Sequence, residues 1–524
     1  MSAADPKKPD TVLAATLFEL QPPQAWSNGR ELLDALIHDC ACASRGELET
    51  TGGARASLVL PSWARQYHPE LGLYRLVDLR FRVLWPASDS PGIEVCAGNR
   101  FMLRSDRSGT CVIPISPAEI HDRYPEAAQW LRNASDLSLK THLHAASVWF
   151  STAQRAGWAP RRIPLDPIET TQPKVRSGRG IQTAEEPFKS IVLAKTPLRS
   201  PRRIDLVMIG RAIRAPHIQS IESALRRWWP SLPVSIRRAE IETDPRLEPT
   251  EVGLLVMPVD EDIQHPSWID WLRINEAAGN LFRIVREQSL GSSNACTNLA
   301  FDLFMLAGGI PWTAAVERED ETVLGLDAGH NRDQRWSRWV CARVNVRDNA
   351  TSCNIVRTEL AEHIPATAIE RLVPPDPAGR ALTVFRDGRF HSEDKRTIAP
   401  EGMTVSVVKH PQAVLYRRLN GHLLPARFGD ALLYPDGRAL LQTSSNKGTA
   451  TQWKMPIRIS TEFRTEIEKA VTLTSLLCRQ PALGVFHQPR LPAPIYWADL
   501  ISKTTTEGWP KVVGRGLGLE SFIP

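Results

Sequence analysis

Four acidic residues stand where a folded chain could gather them for metal chemistry. Asp327 lies in Gly325-Leu326-Asp327-Ala328-Gly329-His330, and Glu362 in Ala361-Glu362-His363-Ile364-Pro365. Asp387 lies in Phe385-Arg386-Asp387-Gly388-Arg389, and Asp499 in Tyr496-Trp497-Ala498-Asp499. Mg2+ prefers hard oxygen ligands and keeps some of its waters. Two such ions about 3.5–4 Å apart can hold an attacking water and a leaving oxygen together, which is a route to phosphodiester hydrolysis. That route needs several carboxylates drawn from distant segments. Each residue alone has a plainer reading. Asp327 terminates an apolar strand among small residues that let backbone or ligand approach closely. Asp387 fits a type I or I′ Asp-Gly turn. Asp499 complements a helix dipole from the first turn, and Glu362 is an ordinary loop glutamate. Composition does not establish that the four meet in space.

The elements that must position them alternate from Arg203 onward. An apolar strand at 204–209 precedes a helically spaced stretch at 217–229 through Ile218, Ile221, Leu225 and Trp228. Further strands are expected at 252–259, 281–285 and 311–316, and helices at 268–278 and 297–306. The pattern predicts a parallel sheet with covering helices, a Rossmann-like layer over 203–318. A second unit over 319–524 opens with a strand at 323–326 closed by Asp327. Strands at 339–346, 353–357, 381–385 and 403–408 follow, with helices at 366–372, 462–477 and 495–503. A hairpin over 423–442 turns at Pro435-Asp436-Gly437. Clustered strands followed by helices give an RNase H-like outline. Residues 1–165 read as an α+β region, with strands at 56–60 and 74–85 and a helical stretch at 125–149, and show no recognisable chemistry. Residues 166–202 read as a linker, Pro-, Ser-, Thr- and Gly-rich over 166–181 without apolar periodicity.

With 524 residues, 42% apolar and 23% charged, the chain has the composition of a globular protein of several domains. No apolar run approaches the ~18 residues of a membrane span, and residues 1–9 are polar, without an apolar signal core. A cytoplasmic protein with no membrane partner is expected. The eight cysteines are scattered, and only Cys40 and Cys42 are close, so reduced and mostly buried thiols are expected rather than a zinc site. The net charge of +6, from 64 basic and 58 acidic residues, permits a polyanion partner without demanding one. Arginine outnumbers lysine, and its guanidinium fork suits phosphate oxygens.

The stretch 308–524 resembles the Piwi domain of long bacterial Argonautes. The pieces that carry the resemblance are Gly308-Gly309-Ile310-Pro311-Trp312, Gly325-Leu326-Asp327-Ala328-Gly329, Glu362-His363-Ile364-Pro365, Phe385-Arg386-Asp387-Gly388-Arg389, Lys447-Gly448-Thr449-Ala450, and 490–499, Arg-Leu-Pro-Ala-Pro-Ile-Tyr-Trp-Ala-Asp. Their order and their spacing to residue 524 make the set specific. The resemblance implies a catalytic tetrad of Asp327, Glu362, Asp387 and Asp499 with two Mg2+ or Mn2+ ions. Asp327, Asp387 and Asp499 would be direct ligands. Glu362 would ride a mobile loop and complete the site once a guide–target duplex is loaded, with Glu359 three residues away as its competitor for that role.

In the same resemblance 203–318 would be a MID domain that holds the 5′ end of a guide. Leu306 stands where that family usually has a lysine. Arg273, Arg283 and Arg286, with the carboxylate of Pro524, are the expected guide contacts, or else the pocket accepts an unphosphorylated end. Nothing in 1–200 matches a PAZ domain. Short prokaryotic Argonautes lack PAZ, have an inactive Piwi site and work with a separate effector protein. This chain joins their length to the carboxylates of the long family. The expected function is therefore guided cleavage of a complementary target by two-metal hydrolysis, in defence against invading DNA or RNA, with an RNA or DNA guide. The alternative is a catalytically silent guided module that activates a separate effector. An unguided RNase H-like nuclease is a third reading, disfavoured by the MID-like unit beside the nuclease unit.

Overall fold

The computed structural model describes residues 11–513 except 15–16, 22–34, 37, 40–46, 51–54, 60–65, 69, 85–91, 105–111, 136–138, 163–164, 169, 171, 185–189, 212, 241–245, 259–270, 272–273, 276–279, 318–320, 332–334, 362, 374–381, 391–397, 399–401, 410, 412, 420–421, 445–455, 482–489 and 508–511. The chain divides into two compact units, one of residues 1–169 with 410–458, the other of 170–409 with 459–524. Among the described residues no helix is long and apolar enough to cross a membrane. Among the described residues Cys96, Cys296, Cys341, Cys353 and Cys478 form no disulfide, and all but Cys353 are buried.

The first unit is built on an antiparallel sheet whose centre is a long pair, Leu73–Leu84 against Gly92–Arg104. Alternation puts Val77, Leu79, Ile93, Val95 and Ala97 on one face, where Ala145, Ala146, Trp149 and Ala153 of helix Leu139–Arg155 cover them. The helical stretch expected at 125–149 is instead two helices, Ala128–Ser135 and Leu139–Arg155. The turn expected at Pro435-Asp436-Gly437 joins Ala431–Leu433 to Ala439–Leu441, with Gly437 at φ +82°. Leu423 and Leu424 belong to a separate hairpin, Leu415–Leu419 with His422–Pro425. Within this unit Glu94 is fully buried. It accepts a hydrogen bond from the Tyr434 hydroxyl at 2.6 Å and pairs with the Arg458 guanidinium at 2.8 Å.

Two of the sheets in the second unit concern the site. In the first, β1 (Ile204–Ile209), β2 (Val234–Ala239), β3 (Glu251–Met257) and β4 (Leu281–Arg286) run parallel in the order β2-β1-β3-β4, and Val512–Val513 adds antiparallel to β4. The apolar runs of β1 and β3 are buried along nearly their whole length, as strands covered on both faces should be. Helices α1 (Ala215–Trp228) and α2 (Ser293–Leu306) follow, and Trp229 stacks on Phe304 at 3.9 Å between ring centres. Thr313–Ala314, expected as a further strand of the alternation, pairs antiparallel with Val175 and Arg176 instead. That pairing also corrects the linker reading of 166–202, which contains Asp166–Ile168, the hairpin Lys174–Ser177 and Gly180–Thr183, and helix Ser190–Ala194. Main-chain pairing forms the hairpin, and Val175, Leu193 and Ala194 bury the segment's few apolar side chains.

The second sheet contains β5 (Thr322–Asn331), β6 (Trp336–Asn345), β7 (Ala350–Glu359), β8 (Thr383–Asp387) and β9 (Thr404–Val408) in the order β9-β8-β5-β6-β7. Its first three members are parallel and the last two antiparallel. Leu324 and Leu326 point to a core shared with Trp339, Val384 and α3 (Ala366–Leu372). Helices α4 (Ile467–Leu477) and α5 (Ala493–Glu507) complete the unit. Asp327, expected to end its strand, lies inside β5, which continues through Asn331 opposite β6.

Removing one member of a buried ion pair leaves the other charge uncompensated, at a cost of roughly 3–5 kcal/mol. Glu94→Ala should lower the stability of the protein by about that amount in urea denaturation. Glu94→Met with Arg458→Met should recover most of the loss. A small loss for the single variant would mean that the pair is solvated rather than buried.

Candidate metal centre

The centre starts from a spacing in β5. Side chains alternate along a strand, so Gly325, Asp327 and Gly329 share the face opposite Leu324 and Leu326. A Cβ placed on Gly325 would stand 2.2 Å from the Pro494 carbonyl, and one on Gly329 2.3 Å from the Ser502 carbonyl oxygen. The two glycines therefore let α5 lie on β5 main chain to main chain. Asp327 sits between these two contacts, and Asp499 lies on the stretch of α5 that spans them. Asp499 is nearly two turns into a helix that begins at Ala493, deeper than the first-turn position expected. Ser502, one turn further, donates to Asp327 Oδ2 at 2.7 Å, with the Asp499 carbonyl oxygen 3.1 Å away.

Asp387 arrives by register. β8 runs parallel to β5 with Leu326 opposite Arg386, so the next residues, Asp327 and Asp387, emerge side by side. Gly388, at φ +87°, turns the chain off the sheet, and its N–H donates to the Val407 carbonyl at 2.8 Å. One carboxylate oxygen from each of Asp327, Asp387 and Asp499 lies within 4.8 Å of the others. Lys409, just past β9, places its ammonium 2.5 Å from Asp387 Oδ2 and also pairs with Asp499 Oδ1. The Lys409 carbonyl in turn accepts from the half-buried Arg490 guanidinium, whose pKa burial pulls down to about 10.

Burial drives the Asp327 carboxyl up to about 7, and the charges of Asp387 and Asp499 push the same way. The Lys409 ammonium and the Ser502 hydrogen bond oppose this without cancelling it. Burial alone would lower the Lys409 pKa, but the surrounding carboxylates outweigh it and raise it. Asp327, Asp387 and Asp499 offer an all-oxygen donor set, which fits a hard divalent cation such as Mg2+ or Mn2+.

Of the expected tetrad the structure brings together Asp327, Asp387 and Asp499, while Glu362 lies outside the described residues. Glu359 ends β7, exposed, opposite Trp336, and is not one of the clustered carboxylates. Of the expected guide contacts, Arg273 and Pro524 also lie outside the described residues. Arg283 and Arg286 sit three apart on β4 and so face opposite sides. Arg283 pairs with buried Asp302 at 3.2 Å, and Arg286 donates to the Pro258 carbonyl at 2.9 Å. Leu306 is buried at the end of α2 and lines a cavity of about 800 Å³ with Arg199, Arg203, Glu251 and Leu281. That cavity opens at the amino ends of β1, β3 and β4, whereas Arg286 marks the carboxyl end of β4. Lys409 and Ser502 were not anticipated. A lysine after a strand and a serine within a helix are ordinary, and only register and helical phase bring them here.

No protein-family model matches the sequence, and no curated protein does. Solved structures match over nearly the whole chain. Clostridium butyricum Argonaute bound to a guide DNA and a 19-mer target DNA has a TM-score of 0.66 at 10% identity, over 93% of this chain and 88% of that one. The chain has an Argonaute-like fold. Drosophila Piwi matches with a TM-score of 0.60 at 11% identity, over 92% of this chain and 84% of that one. Marinitoga piezophila Argonaute in complex with a 5′ OH guide RNA gives 0.59 at 10% identity, over 91% and 86%. At 10–11% identity the Argonaute likeness is a likeness of fold.

The raised carboxyl of Asp327 makes stability depend on pH. The unfolded chain ionises this group near its ordinary value of 3.8, whereas the metal-free fold keeps the proton until about 7. The contribution is therefore destabilising, grows as pH rises from about 4 to 7 and is complete above 7. Relative to Asp327→Asn, the wild-type Tm in EDTA should fall between pH 5 and 8, and Mn2+ should raise it more at pH 8 than at pH 5. A Tm difference between the two proteins that does not change with pH would contradict the assignment.

Proposed function

We propose that the chain is a guide-directed nucleic-acid-binding protein that cleaves a complementary target strand with two Mg2+ or Mn2+ ions. The observation that carries this reading is the convergence of Asp327, Asp387 and Asp499, from two parallel strands and a late helix, inside an Argonaute-like fold. In this reading 203–318 is the MID domain, and 319–524, with its β9-β8-β5-β6-β7 sheet, is the RNase H-like Piwi domain. Residues 1–165 and 166–202 are the N-terminal region and the segment that joins it to MID. The guide and target are RNA or DNA strands, as in the complexes of the similar proteins. Bound metal would activate the water and stabilise the leaving oxygen. The protein's own part is to hold the three carboxylates at fixed separation. The Ser502 hydroxyl fixes one oxygen of Asp327, the α5–β5 contact fixes Asp499, and Gly388 fixes the end of β8. Glu362 would close the site once a duplex is loaded. Arg273, Arg283, Arg286 and the Pro524 carboxylate are the proposed guide-end contacts.

One observation favours a second reading, a silent guided module that triggers a separate effector. The Lys409 ammonium sits among the carboxylates a metal would use. Cleavage assays separate the two. With a guide and Mn2+ the wild type should cut a complementary target at one internal position. Asp387→Asn and Glu362→Gln should reduce cutting to background while guide affinity is kept, and Glu359→Gln should cut normally. Tight binding of guide and target by the wild type without any cutting would replace the nuclease reading with the silent one.

A further inference from the structure

The carboxylate cluster already holds a cation of the chain's own. Lys409 Nζ is 2.5 Å from Asp387 Oδ2 and pairs with Asp499 Oδ1, so it takes up acceptor positions on two of the three clustered carboxylates. An ammonium has three donors and no lone pair. It can neutralise carboxylates, but it cannot ligate a metal and it repels one. A divalent ion therefore cannot be held by the same oxygens of Asp387 and Asp499 while the ammonium stays between them.

The root of the lysine is held while its tip is not covered by main-chain pairing. Its main chain is fixed, because it follows β9, whose Val407 lies opposite Asp387, and its carbonyl accepts from the Arg490 guanidinium. Its charge rides on a flexible four-carbon stem. The side chain is 16% exposed, so solvent reaches it without any movement of the sheet. A fixed root with a flexible charged tip suits two alternative placements better than one permanent bridge. The tip also has a task in the metal-free protein, where three carboxylates would otherwise repel one another across less than 5 Å.

We infer that Lys409 is a built-in counter-ion that competes with divalent metal for Asp387 and Asp499, closing the cluster when metal is absent and withdrawing when metal binds. The inference rests on the reading of the cluster as a metal centre, and it needs no nucleic acid to be tested. The test is calorimetric titration of the full chain with Mn2+ for wild type, Lys409→Met, Lys409→Arg and Asp387→Asn. Methionine keeps the length and removes the charge. Because juxtaposed like charges are strongly unfavourable, Lys409→Met should bind Mn2+ at least about tenfold more tightly than wild type. It should also melt at a lower temperature in EDTA, while Lys409→Arg stays near wild type in both. If Lys409→Met does not fold without metal, it is purified with Mn2+, and chelator competition gives the same affinity comparison. Equal or weaker Mn2+ binding by Lys409→Met, with binding abolished in Asp387→Asn, would overturn the inference and leave the metal centre standing. Absence of Mn2+ binding in wild type and Lys409→Met alike would remove the metal centre, and the inference with it.

Discussion

Helix α5 can rest on β5 at main-chain distance only because Gly325 and Gly329 present no side chain to it. Any Cβ at those positions would stand little more than 2 Å from a carbonyl of the helix. The contact decides where Asp499 goes, since a helix held away by even an alanine would carry its carboxylate away from Asp327. It also decides the environment of Asp327, which lies under the helix between the two glycines and is buried enough to hold its proton to about 7. Ser502, on the same face of α5, then reaches Asp327 without any further device. Asp387 needs no helix. It follows from the parallel register of β8 on β5, which is fixed by main-chain pairing and by the apolar face behind it.

Such a cluster conflicts with the packing that creates it. Burying carboxylates beside one another disfavours their charged forms. The protein meets this with one ammonium, one hydroxyl and a carboxyl that stays protonated up to about neutral pH in the absence of metal. Among the described residues the three acidic groups bring an all-oxygen donor set to one point, and an ammonium pairs with two of them. That donor chemistry suits a hard divalent cation whatever the fold around it.

Much of the architecture is legible in the sequence where burial imposes a clear apolar pattern. Ile204–Ile209 and Ala366–Leu372 fall where their apolar patterns place them, and α2 and β3 differ from expectation by a few residues at their ends. The misses have physical causes. Val234–Ala239 is an edge strand of alternating partly exposed and exposed residues, so it carries no continuous apolar run. Thr313–Ala314 has strand-forming residues, but local pattern cannot say which neighbour it pairs with. The continuation of β5 beyond Asp327 is hidden because Ala328-Gly329-His330 lowers strand propensity where the helix demands a small residue. The three aspartates were recognisable as candidates from residue type and the order of motifs. Lys409 was not, since its role depends on β8–β9 register and on the depth of Asp499 along α5.

Anomalous diffraction from crystals of the protein grown with Mn2+ shows whether Asp327, Asp387 and Asp499 form a divalent-metal centre. Two manganese peaks about 3.5–4 Å apart are expected, bound by oxygens of all three aspartates, with the Lys409 ammonium moved off Asp387 and Asp499. Crystals soaked in Mn2+ that show no anomalous density at the three carboxylates, with Lys409 still paired to both aspartates, would contradict this expectation.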